Sequence, residues 1–260
     1  MDQELQTFVF YANEELTGQA IAAGASGIVV DWEYGDKERR QNLYDTQINR
    51  HGEEELMAAR ALTDSHILCR INGGETLSQE EVDRAISLGA DELLVPMVTS
   101  VAQIERVLGW VQGQVGVALM IETEEAVTLA EELGQLPISK VYVGLNDLSI
   151  ARKSRNLFMP MVDGTVDAIR PHFKVPFGIA GLTHPALGKP IPSLLLLREM
   201  QRLQCSFTFL RRSFFRDMAT APADEILQAI GREWANRGYD VDQARQDFIQ
   251  QVQSQQVRLL

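Results

Sequence analysis

Eight short apolar runs, each followed by a segment with helical spacing, leave this chain very few folds to adopt. The runs are Thr7–Ala12, Gly27–Val30, His66–Ile71, Glu92–Val98, Val115–Ile121, Lys140–Leu145, Pro176–Leu182 and Ser206–Leu210. Their apolar residues are largely consecutive rather than alternating, the pattern of strands covered on both faces, as in parallel sheets. Helices are predicted over Glu14–Ala23, Ile48–Ala61, Ser78–Leu88, Val101–Val111, Glu124–Leu133, Met161–His172 and Ser193–Leu203, with a polar helical terminus from Ala223 through Gln255. Ser78 is an N-cap with Glu81 three residues on, and Gly89, Gly134 and Pro137 mark stops. Strict alternation of this kind predicts an α/β fold, a single (β/α)8 TIM barrel over residues 1–260, with 240–260 as a helical carboxyl-terminal tail. The length of 260 residues suits it, since such barrels need about 250. An open doubly wound sheet is the other candidate, but no Gly-x-Gly-x-x-Gly turn follows the first strand.

Composition narrows the partners. A net charge of −12 argues against nucleic acid and against an anionic membrane surface. It leaves room for a small anionic carboxylate substrate, because a local arginine cluster outweighs distant charge once salt screens it. Cys69 and Cys205 are too few for a disulfide framework or a thiolate metal site. No leader-like or membrane-spanning run is present, so a cytoplasmic protein is expected.

In a parallel barrel the strand ends open on one face, and active sites lie there. The residues at those ends are Asp31 and Glu33, Arg70 and Asn72, Pro96 and Met97, Glu122, Asn146 and Asp147, Thr183 and His184, and Arg211 and Arg212. Glu122 and Asp147, with no adjacent His or Cys, suit a hard cation such as Mg2+ or Mn2+. A second reading is that each acid caps the helix that follows it. Arg70 either faces substrate or forms a structural ion pair with Asp31 or Glu33. His184 is the best-placed histidine for acid–base work, or a turn residue before Pro185. His66 and His172 read as structural, and His51 as a loop residue. Arg211, Arg212 and Arg216 can bind a carboxylate or phosphate, or pair with acids on neighbouring loops. Arg152, Lys153 and Arg155 form either a cationic lid or a solvated loop. The run Leu194–Leu197 exceeds one buried stripe, which suggests contact with a partner subunit.

Four motifs carry a resemblance. RIN at Arg70–Asn72, LLVPMV at Leu93–Val98, IET at Ile121–Thr123 and GLNDLS at Gly144–Ser149 resemble the 2-keto-acid aldolase (HpcH/HpaI-like) and citrate lyase β-subunit superfamily. The resemblance covers the region from Gly27 to Ser149 and fades beyond it. It implies a TIM barrel of the phosphoenolpyruvate/pyruvate type that handles pyruvate-like enolates with a divalent metal. It further implies Glu122 and Asp147 as metal ligands, Arg70 at the substrate oxygen, and Asp31 and Glu33 behind the ligands or on metal-bound water. Family members are often homo-oligomers through carboxyl-terminal helices.

Two departures stand out. The aldolase branch commonly has a His after the Asp-x-Glu of the second strand, where this chain has Tyr34, and a phenol of pKa about 10 is a poor general base. The single helix between Val98 and Val115 is more like the citrate lyase branch, which acts on CoA or carrier thioesters. The expected activity is a metal-dependent carbon–carbon lyase on a 2-keto acid, in which the metal and Arg70 stabilise an enolate and the amides near Asn146–Leu148 receive the substrate carboxylate. Thioester lysis or hydrolysis, and a non-catalytic barrel that lost its proton relay, are the alternatives.

Overall fold

A computed structural model describes residues 4–33, 51–211 and 213–257 of the chain. Strands β1 (Gln6–Phe10), β2 (Gly27–Asp31), β3 (His66–Arg70), β4 (Glu92–Val95), β5 (Gly116–Ile121), β6 (Lys140–Val143), β7 (Phe177–Leu182) and β8 (Phe207–Leu210) pair in parallel in sequence order. The pairing of β8 with β1 closes the barrel. The TIM-barrel architecture read from the alternating runs is therefore the fold of the chain.

The described helices are α1 (Glu14–Ala22), α2 (Glu53–Leu62), α3 (Gln79–Ser87), α4 (Val101–Val111), α5 (Glu124–Thr128) and α6 (Ala130–Leu133). They continue with α7 (Leu145–Ala151), α8 (Thr165–Ile169), α9 (Ser193–Arg202), α10 (Ser213–Asp217), α11 (Ala223–Ala235) and α12 (Val241–Val257). Several differ from expectation, each for a local reason. The segment Glu124–Leu133 is two short helices meeting at Leu129. The helix expected over Met161–His172 shrinks to α8: Gly164 precedes it at φ 91°, and Pro171 sits in a 3-10 turn that ends it. The terminal helix splits where Asn236 turns extended, before Gly238. Leu145 belongs to α7 rather than to β6, so Asn146 and Asp147 lie in the first turn of a helix. Residues 48–50 of the expected Ile48–Ala61 helix lie outside the described residues, and α2 starts only after Gly52.

Two apolar bodies hold the barrel. The inner one gathers inward-facing side chains, among them Phe8, Val29, Leu68, Met120, Tyr142, Phe207 and Phe209. The outer one lies between strands and helices. At the amino-terminal end of the strands, buried Glu92 bonds His66 Nε2 at 2.9 Å and Lys140 Nζ at 2.7 Å, and it accepts from the Ser139 hydroxyl. Burial alone would push the Glu92 carboxyl up, but these three partners hold it below the usual carboxylate range.

Helix α12 packs on its own barrel. Phe248 and Val252 are completely buried, and Arg245 Nη1 lies 2.6 Å from Glu199 Oε1 on α9. On α9, Leu196 and Leu197 are fully buried, with β7 and α12 against that helix, while Leu194 and Leu195 are only partly buried. Among the described residues no helix is long and apolar enough to cross a membrane.

Candidate active site

Strand register decides which side chains meet at the carboxyl ends. Asp31 stands opposite Arg70 across β2 and β3. Its carboxylate grips the guanidinium at both ends, Nε to Oδ1 at 2.8 Å and Nη2 to Oδ2 at 2.7 Å. Glu33 adds an oxygen 3.5 Å from Nε. Buried, bidentate and doubly countered, the charge on Arg70 is fixed: burial opposes it, but Asp31 and Glu33 outweigh burial and raise its pKa. The ion pair anticipated as an alternative role for Arg70 is thus present. It leaves Nη1 with only the weak acceptor Met120 Sδ, at 3.8 Å, among the described residues. Asp31 is completely buried and acts by positioning Arg70. His51 is tied in as well, its Nδ1 accepting the Asp31 amide at 3.1 Å.

Glu122 follows β5 and is 1% exposed. One of its oxygens accepts the amide of Met97 at 2.9 Å, and Met97 sits in a left-handed conformation, φ 50°. The other lies against Gly144, where any Cβ would overlap the carboxylate; only glycine lets β6 approach so closely. Neither acid is the N-cap residue of the helix that follows it. Thr123 is the N-cap of α5, its Oγ1 accepting the Ala126 amide at 3.0 Å. Gly144, which has no side chain, occupies the cap position of α7, and Asp147 lies inside its first turn. Burial and the charges of Asp147 and Glu33 push the Glu122 carboxyl up to about 8, against the opposing pull of Arg70 and the Met97 amide.

Arg70, Glu122, Asn146 and Asp147 share one cavity of about 350 Å³. Phe10, Tyr142 and Phe209 wall it on the barrel side, and Leu157, Phe158, Lys189 and Pro190 also line it. The geometry brings together the acids and Arg70 but not every candidate. His184 lines a separate depression beside α11, and its Nδ1 accepts the Ala186 amide at 3.2 Å. Arg211 reaches the cavity but spends each guanidinium nitrogen on a backbone carbonyl: Gly181 at 2.8 Å, Ile191 at 3.1 Å and Lys189 at 3.4 Å. Burial pushes its pKa down to about 10. Arg212 and Tyr34 lie outside the described residues. Asn72 turns to α3, where its amide and Nδ2 donate to Glu81. Arg152 pairs with Glu124 at 2.5 Å and Asp163 at 3.2 Å. Arg216 is exposed.

The residues that sequence reasoning missed are Phe10, Tyr142 and Phe209. Met97 stood among the strand-end residues and Gly144 opened the Gly144–Ser149 motif, but the contact of each with Glu122 shows only in the fold.

Among the described residues no group of three or more His, Cys, Asp and Glu side chains is arranged to hold a metal ion. Glu122 and Asp147 form a pair: hard oxygen donors, buried, like-charged and mutually repelling. That set fits Mg2+ or Mn2+, which bind through one or two carboxylates and keep water or substrate in the remaining positions.

No family model matches the chain, and no curated protein matches its sequence. Its fold has solved counterparts. An HpcH/HpaI aldolase from Desulfitobacterium hafniense DCB-2 superposes with a TM-score of 0.63 at 13% identity, over 92% of this chain and 96% of that one. A citrate lyase from Burkholderia xenovorans LB400 gives 0.59 at 15%, over 98% and 92%. The citrate synthase SbnG gives 0.58 at 16%, over 87% and 94%. The chain thus has the barrel fold of HpcH/HpaI aldolase and citrate lyase family proteins.

Proposed function

We propose that this chain is a divalent-metal-dependent carbon–carbon lyase that cleaves a 2-keto acid, or a related carboxylate, through a pyruvate-type enolate. One observation carries the reading: a guanidinium and two carboxylates from three different strand ends converge on one cavity at the catalytic face of a barrel. The names of the solved structures with this fold, aldolase, citrate lyase and citrate synthase, agree with carbon–carbon bond chemistry.

Glu122 and Asp147 would hold the cation. When bound, Mg2+ or Mn2+ supplies Lewis-acid charge beside the developing enolate. Arg70 supplies the second stabilising element. Locked by Asp31 and Glu33, it keeps Nη1 available for an oxyanion and needs no reorganisation when charge develops. In cleavage of a 4-hydroxy-2-keto acid, the hydroxyl proton leaves as the C3–C4 bond breaks. An aldehyde departs, and the bonding pair passes into the enolate, which takes a proton at C3. Among the described residues no histidine lines the cavity, and its carboxylates, or water held by them, are the groups there that can carry these proton transfers. Asn146, in the first turn of α7, stands where it can orient the substrate carboxylate.

That same lack of a cavity histidine favours a second reading, a barrel that binds metal and keto acid without turning them over. The two separate in one assay. With Mg2+ or Mn2+, pyruvate release from 4-hydroxy-2-keto acids is expected for the native protein and lost in Glu122→Ala. Binding of the same acids without release supports the second reading.

A further inference from the structure

The cavity lining combines two kinds of surface, and the combination specifies the substrate beyond its keto-acid head. Arg70, Glu122 and Asp147 supply the charged part. In the apolar part, Tyr142 stacks on Phe209, with centroids 4.1 Å apart and planes at 22°. Phe10 meets Phe209 edge-on at 5.5 Å. Leu157 and Phe158 add further apolar surface.

Two polar side chains beside this aromatic surface, those of Tyr142 and Arg211, are already occupied. The Tyr142 hydroxyl donates to the Ala180 carbonyl, in a β7 residue whose left-handed backbone, φ 57°, lies within the register shift against β8. Arg211 is turned away onto the carbonyls of Gly181, Ile191 and Lys189. Lys189 itself is exposed at the rim. A hydroxyl brought against the Phe10, Phe209, Leu157 and Phe158 side chains leaves water without finding a partner on them, which is unfavourable. An aromatic or branched aliphatic group gains by burial, and a flat ring gains further from the neighbouring aromatic faces.

We infer that the cavity takes a substrate whose part beyond the keto-acid head is apolar, an aromatic or branched aliphatic group rather than a polyhydroxyl chain. The placement of the head rests on the lyase reading; the character of the wall does not.

The test is calorimetry on the Mg2+-loaded protein with pyruvate, phenylpyruvate and a 2-keto-3-deoxy sugar acid. Phenylpyruvate is expected to bind roughly tenfold or more tighter than pyruvate, and the sugar acid no tighter than pyruvate. Phe10→Ala, at a half-buried strand end, and Leu157→Ala should each shrink the phenylpyruvate-to-pyruvate ratio. A ratio near one in the native protein, or preference for the sugar acid, overturns the inference. The pair 3-phenylpropanoate and propanoate, which lack the keto group, reads the wall without the head. A phenyl gain there with no pyruvate binding sinks the lyase reading alone; pyruvate binding with no phenyl gain sinks the tail alone.

Discussion

Arg70 is gripped by two carboxylates before any substrate arrives, and this makes Asp31 a positioning residue with a large structural stake. Asp31→Ala leaves a buried guanidinium with Glu33 as its remaining close counter-charge. Unfolding in urea should show a loss of about 3–5 kcal/mol. A loss under about 1 kcal/mol would mean that the pair is worth no more than a surface bridge. Glu122 makes the opposite prediction. In metal-free protein its carboxyl titrates near 8 when folded, against an ordinary value of 4.5. The folded state therefore holds the proton more tightly, and that contribution is complete below the ordinary value and lost as pH rises toward the folded one. Glu122→Gln should gain on the native protein in thermal unfolding between about pH 5 and pH 8, reaching several degrees at the upper end. A difference independent of pH contradicts the assignment. The identities of these residues were legible in the sequence, because an acid or arginine closing an apolar strand is conspicuous. Their pairing was not, since only strand register sets Asp31 opposite Arg70.

At the scale of elements, the two ends of the barrel do different work. The Glu92, His66, Lys140 and Ser139 cluster ties β3, β4 and β6 together at the end away from the cavity. Glu92→Ala should destabilise by about 3 kcal/mol or more, read by denaturant midpoint, without altering ligand affinity. Helix α12 supports the cavity from behind. Val252 O accepts Asn156 Nδ2 at 2.7 Å, Met161 O accepts Arg245 Nη1 at 3.0 Å, and Pro190 O accepts Gln251 Nε2 at 3.2 Å. Asn156 adjoins Leu157 and Phe158, and Pro190 lines the cavity directly. Asn156→Ala should cost about 1–3 kcal/mol and increase hydrogen exchange across residues 154–161; unchanged exchange there would show that α12 does not support that segment. The strands themselves were legible because parallel strands buried on both faces read as unbroken apolar runs. That property hides the cavity wall. Where every residue of a strand is apolar, nothing in the sequence says that Tyr142 and Phe209 face inward while Val141 and Val143 face the helices. Likewise the apolar run through Leu145 concealed the start of α7.

For the whole molecule, eightfold alternation was enough to establish the barrel, and motif order was enough to place Arg70, Glu122 and Asp147 at its mouth. His184 shows where that reasoning stops: a residue can close a barrel strand and still turn away from the centre. With a net charge of −12 on the chain, a cation held by Glu122 and Asp147 would add strongly to the attraction of the cavity for a carboxylate, so under the proposed function ligand binding should depend on the metal. The most direct measurement is calorimetric titration of Mg2+ and Mn2+ into metal-stripped protein, with and without oxalate, an enolate mimic. Oxalate is expected to bind only when the metal is present, and Glu122→Ala to abolish both metal and oxalate binding while the barrel stays folded by circular dichroism. Oxalate binding without metal, or full metal affinity in Glu122→Ala, would contradict the proposed function.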